Sequence, residues 1–277
     1  MTFEPEQLGQ SSRELASKLR ELRKQAGLSG VRLAARCHMS QSKVSRIENG
    51  KVRPSLLDVE QILRALDAPP SMIEEVSTLA RLANTEWRNL RELRRKGLGT
   101  RQSELKALEA SSAHIRYFLL SMVTGLLATP EYVRASLAHS PADTRKAVTG
   151  KLERQAVLYD TSKRFTFVLT EQATRWPVVS PLALAEQLDR LSALTYLPNV
   201  RLGIIPMGTP TPRPPMNTFT VYDGSLATIE TSAGLLVLRD SRDVQGYLEE
   251  FSGYEACALF GEDARSKLAQ WSASYRP

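Results

Sequence analysis

Residues 28–54 read LSGVRLAARCHMSQSKVSRIENGKVRP, and this stretch settles the architecture of the N-terminal part of the chain. Leu28, Leu33 and Ala34 suit a short helix packed on a neighbour. Cys37, His38 and Met39 make a brief turn, after which Ser40 caps a second short helix. That helix buries Val44 and Ile47, three residues apart, and turns Ser42, Ser45, Arg46 and Asn49 the other way. Two short helices, a tight turn and a polar outward face at the start of the second are what a protein needs to enter a DNA major groove.

The segment resembles the Xre-type helix-turn-helix of phage repressors and many bacterial regulators. Its tail, S-R-I-E-N-G-K-x-R-P over residues 45–54, carries the most specific part of that resemblance. Two positions depart from the family pattern. Gly30 stands where the family often has Gln in the first turn of the earlier helix, so a side chain that elsewhere grips phosphate is missing. His38 stands where the turn often has Gly, which asks a non-glycine residue to hold the turn, at positive φ if the family geometry is kept.

Charge is concentrated around the same motif. The chain has 277 residues with 37 Lys and Arg against 30 Asp and Glu, a net of +7. Residues 1–100 hold 18 basic and 12 acidic side chains, a net of +6, and residues 101–277 hold 19 and 18, a net of +1. Residues 11–53 alone hold 11 basic and 3 acidic side chains. The excess thus sits where attraction to phosphates requires it. Only two cysteines occur, Cys37 and Cys257, which fits neither a disulfide framework nor a zinc spacing and suits a reducing cytoplasm. Cys37, between two helices, reads as a small core residue. No apolar run is long enough to span a bilayer and the N-terminus lacks a charged-then-apolar signal, so the expectation is a cytoplasmic protein, nucleoid-associated when bound to DNA, with no membrane partner.

The organisation expected is a loose arm over 1–10, an all-α helix-turn-helix domain over 11–83, a basic linker helix and hinge over 84–103, and a larger α+β domain over 104–277. In the first domain Leu15, Leu19 and Leu22 recur at helical spacing until Gly27 stops the run. Ser55 caps a helix with Leu56, Val59, Ile62, Leu63 and Leu66 as its buried stripe, and a fifth helix restarts at Ser71 after Pro69 and Pro70. Five helices of this kind make a lambda-repressor-like domain. The linker carries Arg88, Arg91, Arg94, Arg95 and Lys96; a second contact to the DNA backbone and a merely solvated helix account for it equally. Residues 105–120 show helical spacing, Thr129 before Pro130 starts another helix, and a further one covers 142–158. From there β-branched and aromatic runs predict strands at 165–169, 199–206, 217–222, 226–231 and 235–239, with helices at 181–194, 243–260 and 262–274.

This second half is similar to the C-terminal domain of a large group of actinobacterial regulators, through G-L-L-x-T-P-E-Y-x-R-A (125–135), E-R-Q (153–155), L-P-N-V-x-L-G-I-I-P (197–206) and F-T-V-Y-D (219–223). Thr124 and Ala128 depart from the Pro and Gln usual there. The resemblance implies a transcriptional regulator whose second domain binds an effector, either a small molecule or a small partner protein.

For DNA contact the candidates are Gln41, Ser42, Lys43, Ser45, Arg46, Asn49, Lys51 and Arg53. Gln41 and Ser42 occupy the first turn, which goes deepest into the groove. Gln pairs with adenine N6 and N7, and Arg46 forks onto guanine O6 and N7, with an exposed salt-bridging role as its alternative. Lys43, Lys51 and Arg53 suit phosphates. The family resemblance pairs Glu48 with Arg23 on the first helix as a structural ion pair. A single helix-turn-helix gives a modest interface, so a homodimer on a pseudo-palindromic double-stranded operator is expected. Met207, Phe219 and Tyr222, around the Pro-rich loop 207–215, are the candidate effector lining, with ordinary core packing as the alternative. No enzyme is expected and no cofactor, metal or catalytic residue is assigned. His38, His114 and His139 lack metal-ligand spacing, and no phosphate-cradling Gly loop or nucleophile motif occurs. Glu171 with Arg175, and Asp223 with Glu230, read as surface charges.

Overall fold

The computed structural model describes residues 8–89, 98–140 and 143–277, which fall into two compact units. The first runs to Arg88 and takes back a short later segment, Leu236–Val244; the second comprises Asn89–Leu235 and Gln245–Pro277. Of the expected N-terminal arm, residues 1–7 lie outside the described residues, as do Arg91, Arg94, Arg95 and Lys96 of the basic linker.

The first unit begins with five helices: α1 (Leu8–Gln25), α2 (Gly30–Arg36), α3 (Gln41–Glu48), α4 (Leu56–Ala65) and α5 (Pro70–Asn84). Their starts follow from local chemistry. The hydroxyls of Ser29, Ser40 and Ser55 accept the amides of Arg32, Lys43 and Asp58, and Asp58 reaches back to the Ser55 amide to complete a capping box. Pro70 opens α5, one residue before Ser71, because its missing N–H is unneeded there. Leu15, Leu19, Leu33, Val44, Ile47, Val59, Ile62, Leu63 and Val76 make one buried cluster, with Cys37 inside it. Burial pushes the Cys37 thiol pKa up.

Where a basic helix was expected, Thr85–Asn89 is a strand, β1. Its sheet neighbour is β7 (Gly234–Leu238), whose last three residues are in this unit. A partner some 150 residues along the chain overrides the local helical spacing, and Thr85 and Trp87 suit a strand.

The second unit is mixed α/β. It holds α6 (Leu98–Ser111), β2 (His114–Leu119), α7 (Pro130–Ser136), α8 (Arg145–Arg154) running into a 3₁₀ turn (Gln155–Tyr159), β3 (Arg164–Thr170), α9 (Glu171–Arg175), α10 (Pro181–Leu194), β4 (Val200–Ile205), β5 (Thr218–Tyr222), β6 (Leu226–Glu230), most of α11 (Ser241–Cys257) and α12 (Gly261–Ala273). Its strands run in the order β6-β5-β2-β3-β4, with β2, β3 and β4 parallel and β5 antiparallel to both neighbours. The expected helix over 105–120 therefore ends at Ser111, and its second half is β2. That strand lies mid-sheet and buries Ile115, Tyr117, Phe118 and Leu119, so period 2 is hidden in a continuous apolar run.

One face of this sheet presents Ile115, Tyr117, Phe165, Phe167, Leu202 and Ile204 to Leu188 and Leu191 of α10 and to Leu268 and Trp271 of α12. The other places Phe118 against Phe219, with ring centres 5.3 Å apart, and against Tyr254 of α11 at 4.2 Å. At the β4 edge Gly203 lets the Phe260 ring lie on the backbone, and Arg201 stacks over that ring at 4.3 Å.

Candidate nucleic-acid interface

The join between α2 and α3 depends on one unusual residue. His38 sits at φ 54°, in the left-handed region that a turn between two short helices needs and that His accepts better than a β-branched residue. Behind the turn Val44 and Ile47 are almost wholly buried, which fixes the rotation of α3. Gln41, Ser42, Lys43, Arg46 and Asn49 are consequently exposed, and Ser45 is half-buried.

A second device fixes the helix along its length. Arg23 of α1 forks onto Glu48 at the end of α3, with Nε to Oε1 at 2.6 Å and Nη2 to Oε2 at 2.8 Å. Its Nη1 also donates to the Leu28 carbonyl at 2.8 Å, so one guanidinium ties α1, α3 and the approach to α2. Both side chains are largely buried, at 14% and 9% exposure, and the hydrogen bond to Glu48 raises the Arg23 pKa. Buried pairs with this geometry are costly to break on one side, because the remaining charge has no water.

The outward residues divide by what they already touch. Gln41, Ser42 and Arg46 have no side-chain hydrogen bond or ion pair among the described residues. Asn49 is committed: its Nδ2 donates to the Ser45 carbonyl at 2.7 Å and to the Ser45 hydroxyl at 3.4 Å, closing the end of α3. Lys43 points sideways to Asp58 at 2.7 Å, so its charge is partly matched and tied to the start of α4. The loop after α3 turns on Gly50 at φ 66°, which leaves Lys51 and Arg53 exposed. Arg53 lies 3.8 Å from Glu86, and Glu86 also meets Arg239 at 3.2 Å. Below the loop, buried Asn84 donates to the Pro54 carbonyl at 3.0 Å and holds its base. Asp58, Asn84, Glu86 and Arg239 were not legible as part of this surface, because each arrives from a distant element and none has a motif of its own. Arg242 likewise reaches Glu60 of α4 from the returning segment.

The expected effector lining is not formed. Phe219 and Tyr222 are core side chains at 1% and 3% exposure, whereas Met207 is 73% exposed. Positions 219 and 222 lie three apart on one strand and so face opposite sides of the sheet, and aromatic residues there pack layers instead of facing a cavity. Glu171 and Arg175 pair with each other at 2.6 Å. Among the described residues no cluster of His, Cys, Asp or Glu is suited to hold a metal ion, and no helix is long and apolar enough to cross a membrane.

Residues 14–76 match the family described as a helix-turn-helix domain, which covers α2 and α3 and their flanking helices. Residues 102–270 match the family described as Domain of unknown function (DUF5753). The chain has no match among curated proteins. Solved structures similar to it include a phospholipase D family member, Nuc, from Salmonella typhimurium, at 9% identity and a TM-score of 0.34 over 58% of this chain and 90% of that one. Another is TrmBL2, an archaeal chromatin protein, at 12% identity and a TM-score of 0.33 over 72% of this chain and 64% of that one. Likeness at that level carries no functional argument. The DUF5753 match spans more than half of the sequence, and the chain belongs to that family, carrying its domain behind an N-terminal helix-turn-helix domain.

Proposed function

We propose that the chain is a sequence-specific transcriptional regulator of the Xre type, a cytoplasmic homodimeric repressor and not an enzyme, controlled by an effector that the second unit binds. The observation that carries this reading is the free polar face of α3. Gln41, Ser42 and Arg46 are exposed and unpaired among the described residues, on a helix that Val44, Ile47 and the Arg23–Glu48 pair hold rigid. Unpaired, preorganised donors on a recognition helix are the groups that read base edges: Gln41 for adenine and Arg46 for guanine. Lys51, Arg53 and Lys43 then serve phosphates, and Ser45 with Asn49 shapes the helix end.

To test it, purified full-length protein is incubated with sheared genomic DNA and the retained fragments are sequenced, with Arg46→Ala alongside. The expected result is a two-fold motif with half-sites about one helical turn apart, lost in the variant. Retention of DNA without any motif, equal in both proteins, would overturn the reading.

A second reading, an antitoxin-like regulator whose second unit binds a small partner protein, draws on a separate observation. Leu120 N–H donates to Thr218 Oγ1, Thr170 Oγ1 donates to the Leu120 carbonyl, and Met207 N–H donates to Glu171 Oε2. These bonds gather the ends of β2, β3 and β4 and the start of β5, and Met122, Trp176, Met207 and Met216, in the segments that adjoin those strands in sequence, are exposed. Exposed Met and Trp side chains favour protein contact. Co-purification of a small second protein with the full chain supports this reading over a small-molecule effector.

A further inference from the structure

The second unit has an open cleft of about 490 Å³ between α6 and α8, a size suited to a small molecule. Four of its nine lining residues are cationic, Lys106 from α6 and Arg145, Lys146 and Arg154 from α8, with Gln102 and Thr149 beside them. We propose that this cleft binds a small phosphate-bearing molecule, and that such a molecule is the effector of the regulator; the effector role, though not the binding, rests on the function proposed above.

The floor is a guanidinium held rigid from behind. Arg154, 5% exposed, donates through Nε to Glu109 Oε2 at 2.9 Å, through Nη2 to Glu109 Oε1, and through Nη1 to Gln102 Oε1 at 2.6 Å. Tyr117 Oη donates to the same Glu109 at 3.1 Å, so the carboxylate itself is fixed. Among the described residues these bonds use three of the five N–H groups of the fork, and Arg154 is one of the residues lining the cleft. A planar donor pair of fixed orientation is what bidentate phosphate binding uses.

The walls add charge that is only partly answered. Lys146, Gly150 and Arg154 succeed one another at four-residue intervals along one ridge of α8, and Gly150 puts no side chain between the two cations. Gly150 is also where α6 comes close: an added Cβ would stand 3.1 Å from Gln102 Cβ. Lys106 lies one turn from Gln102 and one from Glu109, the two residues that grip Arg154. Lys106 and Lys146 have no ion pair among the described residues, whereas Arg145 is matched by Asp143. Glu153 is the acidic member of the lining and sits on the neighbouring ridge with Thr149. Counting Glu109, Asp143 and Glu153 against the four cations leaves a net of +1, an excess of one positive charge for an anion to meet. The start of α8 points the same way: Thr144 makes no side-chain cap, and the first-turn amides of Lys146 and Ala147 have no partner among the described residues.

The test uses the full chain and inorganic pyrophosphate at fixed ionic strength, read by calorimetric titration, with citrate as a polycarboxylate control. The variant is Lys106→Ala/Lys146→Ala, since both side chains are exposed and neither holds the fold. The expected result is saturable pyrophosphate binding, weakened tenfold or more in the variant, with citrate far weaker. No saturable binding, or equal binding by the variant, overturns the site; citrate binding as tightly overturns the phosphate assignment. Operator retention is then measured with and without pyrophosphate. A change in wild type that the variant lacks supports the effector role, and binding with unchanged retention overturns that role alone. A variant that binds pyrophosphate as the wild type does but loses DNA affinity makes the cleft a DNA-backbone contact and overturns the proposal. If no operator is found while pyrophosphate still binds, the regulator reading has failed and the site stands.

Discussion

Glu86 shows how much of the candidate nucleic-acid surface depends on single distant residues. Its carboxylate is near Arg53, a phosphate candidate, and nearer to Arg239, which the chain supplies from the returning segment. Arg239 therefore competes for Glu86 and leaves Arg53 freer for DNA. We expect Arg239→Ala to weaken operator binding about two- to fivefold, the worth of one exposed ion pair, and Glu86→Ala to strengthen it. In a Glu86→Ala background Arg239→Ala should do nothing. Binding isotherms of the four proteins check this; a full Arg239 effect without Glu86 would reduce it to long-range charge. At this scale Gln41, Ser42 and Arg46 were legible, because a polar face opposite Val44 and Ile47 is set by helical periodicity. Asp58 and Glu86 were not, since an ion pair across distant elements has no spacing to read.

Among elements, the helices announce themselves and two strands do not. Ser29, Ser40 and Ser55 mark helix starts because their hydroxyls satisfy amides that no helix can satisfy internally. Residues 114–119 and 85–89 carry helical spacing in sequence because apolar or charged runs fit several periods at once, and only pairing makes them strands. β4 shows the same dependence on context. Gly203 looks replaceable in a strand, yet an added Cβ would lie 2.5 Å from the Phe260 ring, inside any permitted contact. Gly203→Ala should therefore destabilise the second unit by about 1–3 kcal/mol, as overpacking does, seen as a lower midpoint in thermal unfolding. An unchanged midpoint would mean that Phe260 and Leu259 move away at little cost.

For the molecule as a whole, the two buried clusters share no residue, one formed by α1 to α5 and the other by the sheet with α10 and α12. Damage to one core should then leave the other standing. Arg23→Ala strands Glu48 and should cost the first unit on the order of 3 kcal/mol, while the transition belonging to the second unit stays in place. Gly203→Ala should do the reverse. Differential scanning calorimetry of the two variants separates these outcomes, and a common shift of all the heat absorption would show that the units melt together.

Local sequence was enough to specify the helix-turn-helix, the exposed polar face of α3 and the α+β character of the second domain, because these rest on caps, periodicity and β-branched runs acting over a few residues. Long-range packing was needed for the strand at 85–89, the strand at 114–119, the membership of Leu236–Val244 in the first unit, the burial of Phe219 and Tyr222, and the cationic cleft between α6 and α8. Each of those needs a partner far along the chain, and the free energy of that pairing is absent from any local window of residues.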